Sequence, residues 1–458
     1  MYTYLLRRCL FMIPTLLGIT LVVFSVMAFS PGGLSAQSLV DDQNLEPQAK
    51  KALQDYYNRR YGLDLPAPLQ YLRWLNNVSP IGFVIDENGH TQQFSLWKGS
   101  DLGTSFRYGR PVSELLKERV PITLLLNIIT IPLIYIVAIA IGVRAATERG
   151  STFDMSASAI MLALWSIPTM LAGILLIGFF ASNQYWPWFP AGGLSQREAL
   201  MMPFLPHWEH VSDVVVLGLS VLASTAVFVF ISRRASPLIR TSIMAFTGGF
   251  LGVVMAAQVS DGLLLKIIMG NTLAFIFSVV GYTRYIALRV LFMGLIGLSF
   301  GITVAIFFQT GEFVPGFLLD RIWHLVLPIL CLSYSGFAFL AKLTRSSVLE
   351  NLQADYARTA RAKGVSEHEI LWRHVFRNSL LPLITVSATL LPGLLGGSVI
   401  VESLFSIEGM GKLAVEAVKG RDKELVLSIT LISGLLTLAG YLIADICYAI
   451  ADPRISYD

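Results

Sequence analysis

Asp355-Tyr356-Ala357-Arg358-Thr359-Ala360-Arg361-Ala362-Lys363-Gly364 leads through a further polar segment to Arg377-Asn378-Ser379-Leu380-Leu381-Pro382. The stretch is basic, Ala-rich and helix-prone, with one Gly, and it lies between two apolar runs. Two helices that only had to cross a bilayer, each needing about twenty apolar residues, could be joined by a few residues. Here the flanking runs are separated by the whole of 350–379. An exposed helix–Gly–helix on one membrane face is a docking surface for another protein.

The rest of the chain is what surrounds such a surface. It is 54% hydrophobic and 14% charged, where a soluble domain carries about 25% charged residues. Most of it therefore belongs in lipid. The net charge is +4, and no basic stretch is interleaved with aromatics, which argues against nucleic acid as a partner. Cys9, Cys331 and Cys447 lie in or beside apolar runs. Their spacing fits no zinc motif, and buried small hydrophobes is the reading they support.

Ten apolar runs can be counted: Leu10–Ser30, Pro121–Val143, Ala159–Ala181, Val211–Ile231, Ser242–Val259, Leu263–Gly281, Val290–Phe308, Leu325–Leu340, Leu380–Ile400 and Leu425–Ile450. The first follows Arg7 and Arg8 and precedes Leu34-Ser35-Ala36, but it is longer than a signal h-region of about 7–15 residues and reads as a retained span. Lys and Arg concentrate on one set of connections, including Arg144, Arg233, Arg234, Arg284, Lys342, Arg345 and the stretch quoted above. That bias places both termini in the cytoplasm. Lys412, Lys419, Arg421 and Lys423 in the last outer loop run against it.

Residues 32–116 form the one long outer segment. A helix is expected over Gln48–Tyr61, and Asn88-Gly89 between alternating apolar residues predicts a hairpin. The segment reads as a small α+β cap, too short to carry an enzyme core of its own.

Together these features resemble the membrane-spanning permeases of dipeptide, oligopeptide and nickel ABC importers. The resemblance rests on Arg7-Arg8 with Pro14-Thr15-Leu16-Leu17-Gly18-Ile19-Thr20, on Tyr61-Gly62-Leu63-Asp64 with Pro66, and on Asp101-Leu102-Gly103-Thr104-Ser105. Its most specific part is Thr344-Arg345-Ser346-Ser347 with Val348-Leu349-Glu350, then Asp355 to Gly364, His374, Arg377-Asn378 and Pro382. Glu402 with Phe405, Gly409 and Gly411, and Asp452-Pro453-Arg454, complete it. It covers about residues 1–205 and 320–458. Two departures stand out: Pro31-Gly32-Gly33 replaces the family's Pro-Gly-Asp, and 206–320 exceeds the usual six-span plan. The extra block holds four runs, and an even number returns the chain to the same face.

The resemblance implies an all-α polytopic membrane protein with an ABC type I importer permease core, about ten transmembrane helices and the small cap. The divisions expected are a first helix (1–31), the cap (32–116), core helices (117–205), the inserted block (206–320), and a second core part (321–458) that carries the coupling loop. It also implies a bacterial cytoplasmic (inner) membrane location. The partners it implies are a second permease subunit, ABC ATPase subunits and an extracytoplasmic solute-binding protein, within the lipid membrane. The segment around Gly364 resembles the coupling loop of this class, with Arg358-Thr359-Ala360 where Glu-Ala-Ala gives the loop its name. Tyr356–Lys363 is a strong helix former, Gly364 allows a sharp turn, and Val365–Phe376 begins a second helix. Ser366–Leu371 is the expected insert into an ATPase groove. Tyr356, Arg358, Ala360, Arg361, Lys363, Gly364, Ser366, Glu367, Ile370, Leu371, Arg377 and Asn378 are the candidate coupling residues.

ATP hydrolysis must come from another chain. Gly411-Lys412 is followed by Leu413 and preceded by Ser406 at the first Gly position, so there is no P-loop. No cofactor is expected. His207-Trp208-Glu209-His210 with Asp213 could suggest a metal site but reads better as an interfacial loop. Asn127, Glu402 and Asp445 are candidates for the translocation path, with a structural partner role the stronger reading for Asp445. Gln184 is a further cavity candidate, and Pro132, Pro168, Pro328 and Pro392 are expected kinks.

Two other readings compete. An ion-coupled secondary transporter would need polar groups at mid-span and inverted repeats, which the first half lacks. A membrane scaffold is the other, built on a permease fold whose extra spans, rich in Gly, Ala and Ser, bind another membrane protein. The substrate has no signature in the chain.

Overall fold

The computed structural model describes residues 2–30, 46–85 and 91–451. Pro31-Gly32-Gly33, Leu34-Ser35-Ala36, Asn88-Gly89 and Asp452-Pro453-Arg454 lie outside the described residues. The chain divides into two compact units, residues 1–173 with 328–458, and residues 174–327.

The first unit opens with α1 (Tyr2–Phe29), an unbroken apolar helix. The cap follows as α2 (Pro47–Tyr61) and α3 (Ala67–Val78), each with a Pro beside its first turn, then β1 (Gly82–Ile85) and β2 (Thr91–Ser95). The strands pair antiparallel, Phe83 opposite Phe94, so the expected hairpin exists although its turn is not described. Helix α3 was not expected. Tyr71, Trp74, Leu75 and Val78 nonetheless recur at helical spacing; Tyr71 and Trp74 are buried against Phe24 of α1 and Leu427, and the Tyr71 hydroxyl sits 3.0 Å from Thr20 Oγ1.

Next come α4 (Val112–Thr147), α5 (Thr152–Ser166) and α6 (Thr169–Phe180). The expected third span, Ala159–Ala181, is not one helix: α5 and α6 meet at 97°. Pro168 lacks an N–H and drives the preceding residue out of the helical region, and Ile167 is extended. The carbonyl freed there accepts a 2.6 Å hydrogen bond from the Tyr334 hydroxyl. Pro132 and Pro328, by contrast, lie inside helices that continue through them.

The second unit contains the two-residue strand β3 (His207–Trp208), the helices α7 (Val211–Arg234), α8 (Pro237–Val259), α9 (Leu263–Tyr282) and α10 (Ile286–Phe308), and β4 (Phe313–Val314). Strands β3 and β4 pair, and Trp208 packs on Phe313 with ring centres 4.7 Å apart. Asp213 caps the same corner: its carboxylate accepts from Thr310 Oγ1 at 2.8 Å and from the Gly311 amide at 2.9 Å. Trp186 and Trp188 donate their indole N–H groups to Met255 and Gln258 at the end of α8, the amphipathic anchoring expected of Trp at a membrane edge.

The chain returns through α11 (Gly316–Gln353) to α12 (Asp355–Ala362), α13 (Phe376–Leu404), α14 (Met410–Lys419) and α15 (Lys423–Ala451). Among the described residues, eight helices are long and apolar enough to cross a membrane, and the α5–α6 pair is a broken ninth. Helix α13, 29 residues long, covers the run Leu380–Ile400. Every one of the ten expected runs is therefore helical, but one of them is bent rather than straight.

Candidate functional site

Two tight contacts hold the frame beneath the loop. A methyl group on Gly142 of α4 would fall 2.6 Å from Thr344 Cβ and 2.7 Å from the Ala341 carbonyl, so only glycine permits this approach of α4 to α11. Arg345 forms a bidentate ion pair with Asp154 at the start of α5, with Nη2 2.8 Å from Oδ2. Planar guanidinium–carboxylate geometry of this kind fixes orientation as well as contributing energy. The Thr344-Arg345 motif thus joins α11 to both α4 and α5.

Beyond it the polypeptide makes the elbow. Ala354 is extended and ends α11. Helix α12 closes with a Schellman motif: the Val365 amide donates to the Ala360 carbonyl at 3.2 Å, and the Gly364 amide to that of Arg361 at 2.9 Å. Gly364 has φ +78° with open space around it. The glycine is therefore demanded by backbone conformation and not by crowding. Ser366 then caps a new turn, its Oγ accepting from the Glu369 amide. Ser366 with Glu369 has the spacing of a capping box.

A single α-turn, Glu367–Glu369, passes into a π-helical turn, Ile370–Val375, before α13 begins. The π-turn was not legible in the sequence. It rotates Ile370 and Val375 inward, where both are fully buried with Val143, Ala146, Val348 and Ala357. The loop is thereby seated on α4 and α11 by an apolar core. Ala360, Val365 and Leu371 pack against the same cluster.

The remaining candidates stay outside. Tyr356, Arg358, Arg361, Lys363, Gly364, Ser366, Glu367, Arg377 and Asn378 are exposed. Within the expected insert Ser366–Leu371, the outer face is Ser366 to Glu369, while Ile370 belongs to the anchor. Arg361 reaches across the turn to Glu367, with Nε 2.8 Å from Oε1 and Nη2 3.3 Å from Oε2, and gives Nη1 to the Leu352 carbonyl. Hydrogen bonding to Arg361 holds the Glu367 carboxyl below its ordinary range. Tyr356 donates its hydroxyl to Asn351 Oδ1 at 2.6 Å, and Asn351 Nδ2 contacts Ser379 Oγ at 3.2 Å. Trp372, half exposed between His368 and Phe376, is a surface aromatic that sequence reasoning missed. Its spacing of four from each neighbour was the available signal.

The three path candidates lie elsewhere in the first unit. Glu402 is fully buried at the end of α13. Its Oε1 accepts from Thr123 Oγ1 at 2.8 Å and its Oε2 from the Lys412 amide at 2.9 Å, while Thr123 Oγ1 also accepts from the Met410 amide at 2.8 Å. The carboxylate therefore sits at the N-terminus of α14, where free amides and the helix dipole favour negative charge. Asn127 is buried beside it, donating to the Thr123 carbonyl. Asp445 pairs with Arg8 at 2.8 Å and ties α15 to α1.

On the cap side, the Asp101–Ser105 motif docks on the loop before α15. Ser105 Oγ and the Arg107 amide both donate to Asp422 Oδ2, and Tyr108 donates its hydroxyl to Glu416.

Comparison with known proteins agrees with this architecture. Residues 248–457 match the family described as "Binding-protein-dependent transport system inner membrane component". Residues 1–127 match its companion, "Binding-prot-dependent transport system membrane comp, N-term". The chain belongs to this family: it is a membrane-spanning, non-enzymatic permease subunit of an ABC transporter. The oligopeptide transport system permease protein AppB of Bacillus subtilis is 29% identical over the whole of both chains. The dipeptide transport system permease protein DppB of Escherichia coli is 26% identical over 100% of this chain and 99% of its own. The inner membrane ABC transporter permease protein YejB of Escherichia coli O157:H7 is 25% identical over the full length of both. The 248–457 match begins inside the block that exceeds the six-span plan.

Proposed function

We propose that this chain is one half of the translocation pore of a bacterial importer that takes up peptides or closely related small solutes. It pairs with a second permease subunit, and separate ATPase subunits drive the cycle from the cytoplasmic side. An extracytoplasmic solute-binding protein delivers cargo to the cap. The membrane is the bacterial inner membrane, with both termini in the cytoplasm, as the Lys and Arg distribution favours. The peptide assignment rests on the names of relatives that align over their whole length.

One observation carries the coupling role. The Ser366–Glu369 tip is exposed, while the residues immediately after it are locked into a core shared with α4 and α11. Closure of an ATPase groove around the tip would move both helices as a rigid body, the usual route by which a docked element transmits motion. The test is recovery of partners from native membranes with the tagged chain. Wild type should bring down an ATPase and a second permease. Gly364→Pro, which cannot adopt φ +78°, should lose the ATPase while keeping the permease. Recovery of the ATPase at wild-type level with Gly364→Pro would remove this loop as the contact. Absence of any ATPase with wild type would overturn the importer reading.

A further inference from the structure

The four helices α7 to α10 contain a duplication. Arg240, Met244, Gly248, Gly252 and Ala256 recur along α8 at every fourth position, and Arg289, Met293, Gly297, Gly301 and Ala305 recur identically along α10. All ten are buried. Phe228 of α7 and Phe277 of α9 fall at the same offset. The block is thus two helical hairpins of one pattern, α7–α8 and α9–α10, and they exchange partners. A methyl on Gly248 or Gly252 would strike the Leu273 or Met269 carbonyl of α9, at 2.5 and 2.4 Å. A methyl on Gly297 or Gly301 would strike Thr225 Cα or Val221 Cα of α7, at 2.8 and 2.6 Å. Small residues let the backbones touch in both pairs, and Ser224 Oγ hydrogen-bonds the Gly297 carbonyl at 2.7 Å.

Two consequences follow at the shared end of the block. The duplication brings two arginines together, Arg240 in the first turn of α8 and Arg289 in the first turn of α10. Each is more than nine-tenths buried, and they are near enough to act electrostatically on one another. Among the described residues neither has an ion-pair partner, and Nε of each, with Ser232 Oγ at the end of α7, is buried without a hydrogen-bond acceptor. Arg233, Arg234 and Arg284 are exposed at the same end. Buried unpaired charge is strongly unfavourable, so two buried arginines and a buried hydroxyl at one end of the block, none with an acceptor, call for an anion with several oxygens. Between the two helix pairs runs an apolar cleft of about 800 Å³, lined by residues that include Ile243, Phe246, Phe250, Phe277, Phe292 and Ile296. Ile243 and Phe292 lie within one turn of the two arginines.

We infer that the cleft holds one anionic phospholipid, its phosphate on Arg240, Arg289 and Ser232 and its acyl chains between the hairpins. The occupant is chosen by charge. An apolar cleft alone would accept any hydrocarbon, but two buried arginines within one turn of its lining residues Ile243 and Phe292 select an acidic headgroup. The inference concerns the duplicated block only and is independent of the coupling loop and of the substrate.

The test is native mass spectrometry of the full-length detergent-purified chain, titrated with phosphatidylglycerol or phosphatidylcholine of identical acyl chains. Phosphatidylglycerol should be retained about thirtyfold more tightly, two basic groups at about 1 kcal/mol each. Arg240→Gln with Arg289→Gln should abolish that preference. Ile296→Trp, which fills the cleft and leaves both arginines, should weaken both lipids alike, so the inference stays testable if the arginine variant does not fold. Inorganic phosphate should compete only weakly. Equal retention of the two lipids by wild type, a preference that survives the double substitution, or full displacement by inorganic phosphate would each overturn it. So would a second protein chain found in the cleft in place of lipid.

Discussion

Arg361 closes a bidentate ion pair with Glu367 over the turn at Gly364, so the last turn of α12 and the first turn after it are clamped on their outer side. Both residues are exposed, so the pair contributes little to global stability. Its effect is to fix the angle at which the Ser366–Glu369 tip is presented. Arg361→Ala or Glu367→Gln should leave subunit assembly intact. Either should lower substrate-stimulated ATP hydrolysis in proteoliposomes by about two- to fivefold, the range of a surface pair. Exchanging the two charges, Arg361→Glu with Glu367→Arg, should restore part of the loss. Because the folded Glu367 carboxyl titrates below its ordinary range, the pair is intact at neutral pH. It is lost only as pH falls below about 4.3, the ordinary glutamate value. Coupling between pH 6 and 8 should therefore be flat with respect to this pair.

Gly364 tests backbone strain separately from crowding. Nothing lies within 4 Å of where its Cβ would be, and its φ is +78°. Gly364→Ala should cost about 1–2 kcal/mol through the left-handed conformation alone. Gly364→Asn should cost less, since Asn tolerates that region, and Gly364→Val more. Thermal unfolding of the purified chain should rank the Asn variant most stable, then Ala, then Val. A ranking by side-chain volume alone would mean that an unforeseen neighbour crowds the site.

Much of this was legible in the residues. Hydropathy located all ten helical runs because lipid demands unbroken apolar length, and Gly364 with the alanines of α12 announced the elbow through helix propensity and turn chemistry. Three features were not readable by those rules. The break at Ile167-Pro168 looked like an ordinary kink, because an apolar run does not reveal whether the chain continues straight. The π-turn at Ile370–Val375 leaves composition unchanged and only shifts which residues face inward. The Arg-Met-Gly-Gly-Ala duplication lies in the sequence at every fourth position of two helices, but apart from the arginine its members are small or apolar like their neighbours, so hydropathy and turn chemistry do not mark it. Helix α3, by contrast, carries a readable apolar stripe, Tyr71, Trp74, Leu75 and Val78, which it packs on α1.

Glu402 offers a decision between two roles. Its carboxylate is engaged by Thr123 and the Lys412 amide, and a methyl on Gly409 would lie 2.4 Å from Glu402 Cδ. This is the geometry of a group that holds the α13–α14 corner. Glu402→Ala should destabilise the permease by about 2–4 kcal/mol, leaving buried donors unsatisfied, and Gly409→Ala should be similarly harmful. Glu402→Gln retains one carbonyl acceptor and should be milder. Measured together, unfolding temperature and uptake should fall in step across these variants. A Glu402→Gln protein of normal stability that no longer transports would instead place the carboxylate on the solute path.

Ile370 separates docking from transmission. The tip that would meet an ATPase is exposed, but Ile370 behind it is fully buried with Val143 of α4 and Val348 of α11. Shortening it leaves the docking face chemically unchanged and loosens the seat on which that face rests. Ile370→Ala should cost about 2–5 kcal/mol of local packing, and Ile370→Val about 0.5–1.5 kcal/mol. With Ile370→Ala the ATPase should still copurify and hydrolyse ATP, while the ratio of solute taken up to ATP consumed falls. Ile370→Val should lie between it and wild type. The same ratio in all three proteins, with only ATPase recovery altered, would mean that the elbow passes force through α13 alone and that its core with α4 and α11 is merely structural.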